Sequence, residues 1–365
     1  MAPQLSKGTC PEAGLRADEL RALVAELTAY LGACPPPAHP WCAGAVVLAG
    51  RGPVVALHEA VGWAVRYASY DESADRGVEL PRERWVPMRT DTVFDLASLS
   101  KLFTALLAVR HLRLDTQVHA YLPEFRPGIT VRHLLGHTSG FRAELPFYEA
   151  PDRPARLRML YDEEPLHAPG TLRVYSDLNF ITLQVALERV TGEPLDALVR
   201  DGITAPLGMA DTRYNPPPSW RPRIAATEDQ RRPWGRLDRG MVHGTVHDEN
   251  AYAMGGVAGH AGLFSTAWDL ALFCRALLDA GGPYTGFELD QPWFMGELAG
   301  PRTAGHTGFT GTSLVLDPDT DTFLVLLANS VHPCRSWRDG SAPRAAAATR
   351  LARAAAGGGR QGLSG

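Results

Sequence analysis

The chain has 365 residues, 45% of them apolar, with 36 basic and 40 acidic side chains and a formal charge of -4. That balance gives no electrostatic reason to expect nucleic acid or an anionic membrane as partner, and the apolar content is ample for a packed core. Five widely spaced cysteines, Cys10, Cys34, Cys42, Cys274 and Cys334, include no CxxC pair, which argues against a disulfide framework or a zinc site and for reduced thiols.

In chain order, residues 1–14 contain no apolar run of signal-peptide length, and the segment around Lys7 reads as disordered. Leu15 to Leu31 is interrupted by Arg16, Asp18, Glu19, Arg21 and Glu26, the mark of an amphipathic helix and not of an export signal. No later run approaches the ~18 apolar residues of a membrane helix, so a cytoplasmic location is expected. Gly32 and Pro35-Pro36-Pro37 close the first helix. Ala45 to Leu48, the turn Gly50-Arg51-Gly52-Pro53 and Val54 to Leu57 predict a hairpin, extended by Val61 to Tyr67. A helix begins around Ser98 and runs toward Val109. Helical segments follow to about Asn250, among them Asn179 to Thr191 and Pro194 to Arg200. The Gly-rich stretch Gly255 to Gly262 leads into a helix from Ala267 to Asp279. Two final strands, Ser313 to Leu316 and Thr322 to Ala328, flank the turn Asp317-Pro318-Asp319-Thr320-Asp321. After Gly340 an Ala/Arg/Gly-rich tail predicts a last helix followed by disorder.

Strands at both ends with helices between predict an α+β fold, with an antiparallel sheet built from both termini, flanked by helices and carrying a helical insertion. The expected division is a helical arm at 1–40, a main domain at 41–345 and a tail at 346–365. Within the main domain, 41–97 and 255–345 form the sheet layer and 98–254 the helical subdomain.

Lysine is the most selective signal. Only Lys7 and Lys101 occur among the 36 basic residues. Arginine stays protonated, whereas a buried lysine can lose its proton and act as a base. Lys101 follows Ser98 by three residues, which on a helix brings the two side chains to one face, roughly 5 to 6 Å apart at Cβ. Serine with a lysine base is one form of activated nucleophile. Alone, Ser-x-x-Lys is weak, since chance supplies it in roughly one such chain in ten.

Two further elements accompany it. In Arg173-Val174-Tyr175-Ser176-Asp177-Leu178-Asn179, a tyrosine in a turn before a helix can place its phenol beside a serine and relay a proton. In Gly305-His306-Thr307-Gly308-Phe309, small residues let a strand edge approach a substrate closely. With these three motifs in this order, the chain resembles the serine β-lactamase and penicillin-binding-protein family, especially its class C, esterase, D-aminopeptidase and DD-carboxypeptidase branch. The resemblance covers roughly residues 42–335 and extends to Thr130 to Gly140, Gly259 to Thr266 and Leu326 to Asn329.

The resemblance implies a β-lactamase/transpeptidase-like fold. It implies Ser98 as nucleophile at a helix start, Lys101 as its base partner and Tyr175 as second proton-transfer group. It implies the backbone N–H groups of Ser98 and Phe309 as oxyanion hole, with Asp177, His306, Thr307 and Gly308 lining the substrate site. No cofactor and no metal are implied. The implied activity is a serine hydrolase forming an acyl-enzyme at Ser98, an esterase or amidase on small molecules or D-amino-acid peptides. Acyl transfer to a small acceptor, DD-carboxypeptidase and β-lactamase activity are the alternatives, and an inactive binding or sensor protein on the same scaffold is the reading of another class. The partner is a small ester, amide or peptide, with neither nucleic acid nor membrane, and oligomeric state is left open.

Asp177 departs from the family's usual asparagine: an ionised carboxylate only accepts hydrogen bonds and could hold Lys101 protonated by direct pairing. A neutral Lys101 near pH 7 needs a fall of about 3 units, or about 4 kcal/mol. The segments after Lys101, reaching Leu112 to Asp115, and between Leu278 and Trp293 look shorter than in the family. His243 and His247 at i, i+4 resemble a metal-binding face but lack the Glu-x-x-His order of zinc proteases, and read as structural support. His133, His137 and His260 read as hydrogen-bonders supporting the cleft.

Overall fold

The protein is described here from a computed structural model covering residues 3–32, 39–282, 284–337 and 340–356. Its central strands are continuous apolar runs because both faces of the sheet are covered. In strand β2 (Gly44–Arg51), Val46 and Leu48 point into one core while Ala45, Val47 and Ala49 point into the other. This is the period-2 alternation that fixes strand register.

Strand β1 is Ser6–Lys7, and β3 (Val54–Val65) returns antiparallel beside β2, from Arg51↔Val54 to Gly44↔Gly62. From the other end of the chain come β4 (Glu288–Leu289), β5 (Ala304–Thr307), β6 (Ser313–Asp317) and β7 (Thr322–Ala328). The order is β1-β3-β2-β7-β6-β5-β4, with Val86–Pro87 branching onto β3. The β7–β2 pairing, Thr322↔Arg51 to Ala328↔Ala45, joins the two ends of the chain. β1 runs parallel to β3, the exception in an otherwise antiparallel sheet. The segment around Lys7, read as disordered, is therefore an edge strand: Ser6 N–H donates to the Pro53 carbonyl (2.9 Å) and Gly8 N–H to that of Val55 (3.0 Å). Its composition could not show this, because the order comes from main-chain bonds to a distant edge.

On one face lie helix α1 (Ala17–Ala29) and the C-terminal helix, which runs Ala342–Ala356. Leu20, Leu23 and Leu27 pack with Ala347, Ala348, Leu351 and Ala354, so the alanines of the tail are core residues. Arg350 bridges to Glu19 (2.9 Å) and Glu26 (2.6 Å) across this contact. On the other face lie α2 (Ser100–His111), α3 (Asp177–Thr191) and α4 (Ala267–Ala280); the C-terminal helix is α5. Phe103 of α2 stacks on Phe273 of α4 at 4.4 Å between centroids. Helices α2 and α3 are buried over most of their surfaces and pack on each other. Their N-termini carry Ser98 and Asp177.

A small second sheet, ordered Phe94–Asp95, Leu263–Ser265, Arg213–Tyr214, holds the approach to Ser98 against the end of the Gly-rich stretch. Among the described residues the four cysteines are unpaired, and no helix is long and apolar enough to cross a membrane. Cys34 lies outside the described residues.

Candidate active site

Ser98 sits on a tight turn. Ala97, just before it, holds a left-handed φ of 47°, which costs a residue with a Cβ about 1–2 kcal/mol. Four bonds hold the turn in place, one within it and three from distant residues. The Asp95 carboxylate accepts the N–H groups of Ala97 (2.9 Å) and His247 (2.6 Å). Thr310 Oγ1 donates to the Asp95 carbonyl (2.7 Å) and Thr312 Oγ1 to that of Leu96 (3.0 Å). The turn delivers Ser98 to the first turn of a 3-10 segment, Ala97–Leu99, that continues into α2, with the positive end of the helix dipole beside it.

One turn further on, Lys101 is completely buried. Its Nζ donates to Ser98 Oγ (2.8 Å) and the His260 carbonyl (3.2 Å), and pairs with Asp177 Oδ1 at 2.7 Å. Burial works to lower the lysine pKa, but the Asp177 carboxylate and the Tyr175 phenol outweigh it and hold Lys101 above its ordinary value. The resting side chain is an ammonium.

Asp177 is the first residue of α3, where a carboxylate suits the helix dipole. Tyr175, two residues earlier, is 39% exposed and stacks on His137 at 4.5 Å between ring centroids. Burial of the phenol and the nearby Asp177 charge raise its pKa, opposed by the Lys101 charge and by hydrogen bonding to Lys101 and Ser98. The phenol is thus protonated and engaged with both. His137 holds this corner at a φ of 56°, and its Nδ1 accepts Ser176 N–H (3.0 Å) and Asn179 Nδ2 (3.1 Å). Burial, aided by Lys101, pushes the His137 imidazole down to about 2, so it is neutral with its proton on Nε2.

The third motif ends β5. His306 is buried, its Nδ1 is 2.7 Å from the Thr307 carbonyl, and its ring centroid is 6.0 Å from that of Tyr175. Burial and the Lys101 charge push it down to about 4, so this position supplies no cation at neutral pH. A Cβ on Gly308 would lie 2.0 Å from Thr312 Oγ1 and 2.4 Å from the Leu96 carbonyl oxygen. Only glycine lets the strand end come this close to the turn that carries Ser98. Phe309 follows, its ring stacked on His247 at 5.6 Å.

A polar wall backs the site. His260 Nε2 lies 2.9 Å from Asp248 Oδ1, and Asp248 also accepts Ala251 N–H (2.7 Å). Despite burial these partners hold Asp248 well below the usual carboxylate range. Glu228 meets His247 Nε2 (2.8 Å) and Arg335 (2.7 Å), which together outweigh its burial and take it down to about 2. The span from Gly240 to Asp248 is not helical, so His243 and His247 do not share a helix face. His243 Nε2 is spent on the Ile224 carbonyl (2.8 Å). Asp177, Asp248 and His260 offer ligand atoms within 4.8 Å of one another. Asp177 already holds the Lys101 ammonium and His260 holds Asp248, so the group reads as a charge network.

Ser98, Lys101, Tyr175 and Asp177 thus meet directly, with His306, Thr307, Gly308 and Phe309 alongside. Asp95 escaped the sequence reading because its bond to Ala97 N–H, two residues on, is one any turn can hold, and Thr310 and Thr312 because their bonds reach main-chain groups more than two hundred residues away. A separate cavity of about 760 Å³, walled by Leu157, Leu160, Ile181, Val185, Met254 and Val257, contains none of these groups.

The family model described as Beta-lactamase matches residues 20–349. A protein of Escherichia coli (strain K12) whose name assigns it only provisionally as a D-alanyl-D-alanine carboxypeptidase is 32% identical over 316 residues, 68% of this chain and 72% of that protein. N-acetylmuramyl-L-alanine amidase of Bacillus subtilis (strain 168) is 32% identical over 338 residues, 74% of this chain and 75% of the amidase. Among solved structures, a class C beta lactamase superposes with a TM-score of 0.67 at 18% identity, covering 92% of this chain and 96% of its own. The hydrolase EstCE1 does so with a TM-score of 0.64 at 21% identity, covering 91% and 99%. At these identities the structural likeness is one of fold.

Proposed function

Since the chain belongs to the β-lactamase family of serine hydrolases, we propose that it forms an acyl-enzyme at Ser98 and hydrolyses small esters or amides, amides of D-amino acids among them. The observation that carries this reading is the 2.8 Å bond from Lys101 Nζ to Ser98 Oγ, with Asp177 2.7 Å behind the lysine.

In the proposed cycle Ser98 Oγ attacks the substrate carbonyl. Its proton passes to Lys101 as Lys101 gives one of its own to the Asp177 carboxylate, so the pair acts as the base. The N–H groups of Ser98 and Phe309 receive the oxyanion. Tyr175 donates its hydroxyl proton to the leaving group and recovers one from the Lys101–Asp177 pair. Water then enters and the same groups run in reverse to release the acid.

Charge argues for the substrate class. With His306 neutral and Asp177 anionic, the third motif offers no cation to a substrate carboxylate, which favours uncharged esters and amides. The 32% identity to the protein named as a D-alanyl-D-alanine carboxypeptidase supports a second reading, cleavage of peptides ending in a free D-alanine. Comparing an acyl-D-alanyl-D-alanine with its methyl ester separates the two: the first reading expects the ester to be preferred. Intact-mass detection of the acyl-enzyme with p-nitrophenyl esters, D-alanyl peptides and β-lactams tests both. A folded protein that acquires no adduct at Ser98 from any of them is not a hydrolase of this kind, and the binding-protein reading would replace it.

A further inference from the structure

Arg344 is 2% exposed although it lies in the Ala/Arg-rich helix α5, and arginine is rarely buried without a specific role. Its Nη2 donates to the Gly308 carbonyl (3.0 Å) and its Nη1 to Ser341 Oγ (3.0 Å), while its guanidinium carbon lies 5.6 Å from the Trp41 ring centroid. The same carbonyl accepts Gly311 N–H at 3.2 Å, closing the turn after the third motif, so two donors occupy its two lone pairs. The carbonyl of Gly308 and the N–H of Phe309 belong to one peptide unit, which is planar and trans, so they point in opposite directions. Gly308 itself abuts the nucleophile turn: a Cβ there would sit 3.4 Å from that of Ala97.

We infer that Arg344 is a positioning residue of the oxyanion hole, acting through the Gly308–Phe309 peptide. This rests on the reading of Ser98 as nucleophile and Phe309 N–H as oxyanion donor. A charged donor on the carbonyl draws electron density through the amide and makes its N–H a stronger donor, as hydrogen bonds in series do. It also prevents the peptide from turning its carbonyl toward the cleft. The buried guanidinium adds positive potential one peptide away from the developing negative charge, where screening is weak. The C-terminal helix is thereby part of the reacting machinery and not only a cover for the sheet.

The test uses the full-length protein acylated at Ser98 by a p-nitrophenyl ester carrying ¹³C at the carbonyl. The acylation rate is read from p-nitrophenol release, and the acyl carbonyl stretch from the infrared difference against the unlabelled ester. A stronger oxyanion hole lowers that frequency, which simple loss of stability does not do. Arg344→Met is expected to raise the frequency and slow acylation on the order of 10-fold, short of the 100-fold or more that follows outright loss of a donor. Arg344→Lys, which keeps the charge, is expected to recover most of both. If Arg344→Met does not fold, Arg344→Gln, uncharged but of useful reach, must show the upward shift. A folded uncharged variant with the wild-type frequency and rate overturns the role of Arg344 and leaves the hydrolase reading standing. Absence of any acyl-enzyme in the wild type instead overturns the function on which the inference rests.

Discussion

Asp177 Oδ1 stands 2.7 Å from Lys101 Nζ, and the same buried ammonium donates to Ser98 Oγ. An asparagine in that place could bond the lysine without neutralising it. The carboxylate instead holds the proton on the nitrogen and raises the phenol of Tyr175. The pH dependence of the enzyme should therefore be set by this pair.

Replacing Asp177 by Asn removes a group that raises both Lys101 and Tyr175, so both pKa values fall. At pH 7 the ammonium then has no carboxylate to take its proton, so the pair no longer serves as base and kcat/KM for a p-nitrophenyl ester should fall on the order of 100-fold or more. The loss should shrink as pH rises, because Lys101 in the variant becomes neutral at a lower pH than in the wild type and can take the serine proton itself. An unchanged rate and profile would remove Asp177 from the base.

Lys101→Arg keeps the charge and the capacity to pair with Asp177 but cannot give up a proton. Ester hydrolysis should drop on the order of 1000-fold while the fold persists, since general-base catalysis alone supplies about 100- to 10,000-fold. Ser98→Ala should abolish the mass adduct altogether. Turnover retained by Ser98→Ala would show that the nucleophile lies elsewhere, and turnover retained by Lys101→Arg would show that the base does.

His137→Phe deletes the acceptor for Ser176 N–H and for Asn179 Nδ2 and puts a bulky residue at a φ of 56°. Each orphaned donor costs about 1–3 kcal/mol. Urea melts should show this loss, and kcat should fall further than stability explains because the turn that carries Tyr175 loses the acceptor that anchors it at Ser176 N–H. His137→Asn tolerates the left-handed backbone and restores an acceptor, so it should recover most of the stability.

Glu228, held at about 2 against its ordinary 4.5, contributes stability that is present above the unfolded value and lost as pH falls toward 2. The increment at neutral pH is about 3 kcal/mol. Glu228→Gln should melt lower at pH 7, and its stability between pH 5 and 2.5 should fall less than the wild type's by roughly two thirds of that amount. Parallel acid melts in the two proteins would show that Arg335 and His247 do not act through this carboxylate.

Much of the molecule was legible because its signals are local. The hairpin from Gly44, the helix from Ala267 and the strands around Asp317 declare themselves through apolar runs and turn residues a few positions apart. Ser98 and Lys101 share a face by spacing alone, and the lysine's rarity in the sequence marks it out. Other features belong to the fold. The edge strand at Lys7, the core alanines of α5 and the hold of Thr310, Thr312 and His247 on the turn before Ser98 all depend on partners far along the chain. The protonation of Lys101 is the clearest case. Its sequence neighbours say that it can be buried; only the packing of α2 on α3 brings Asp177 to its side. Desolvation and Coulomb attraction act through space, so their balance at a side chain is decided by tertiary neighbours and not by the residues beside it in the chain.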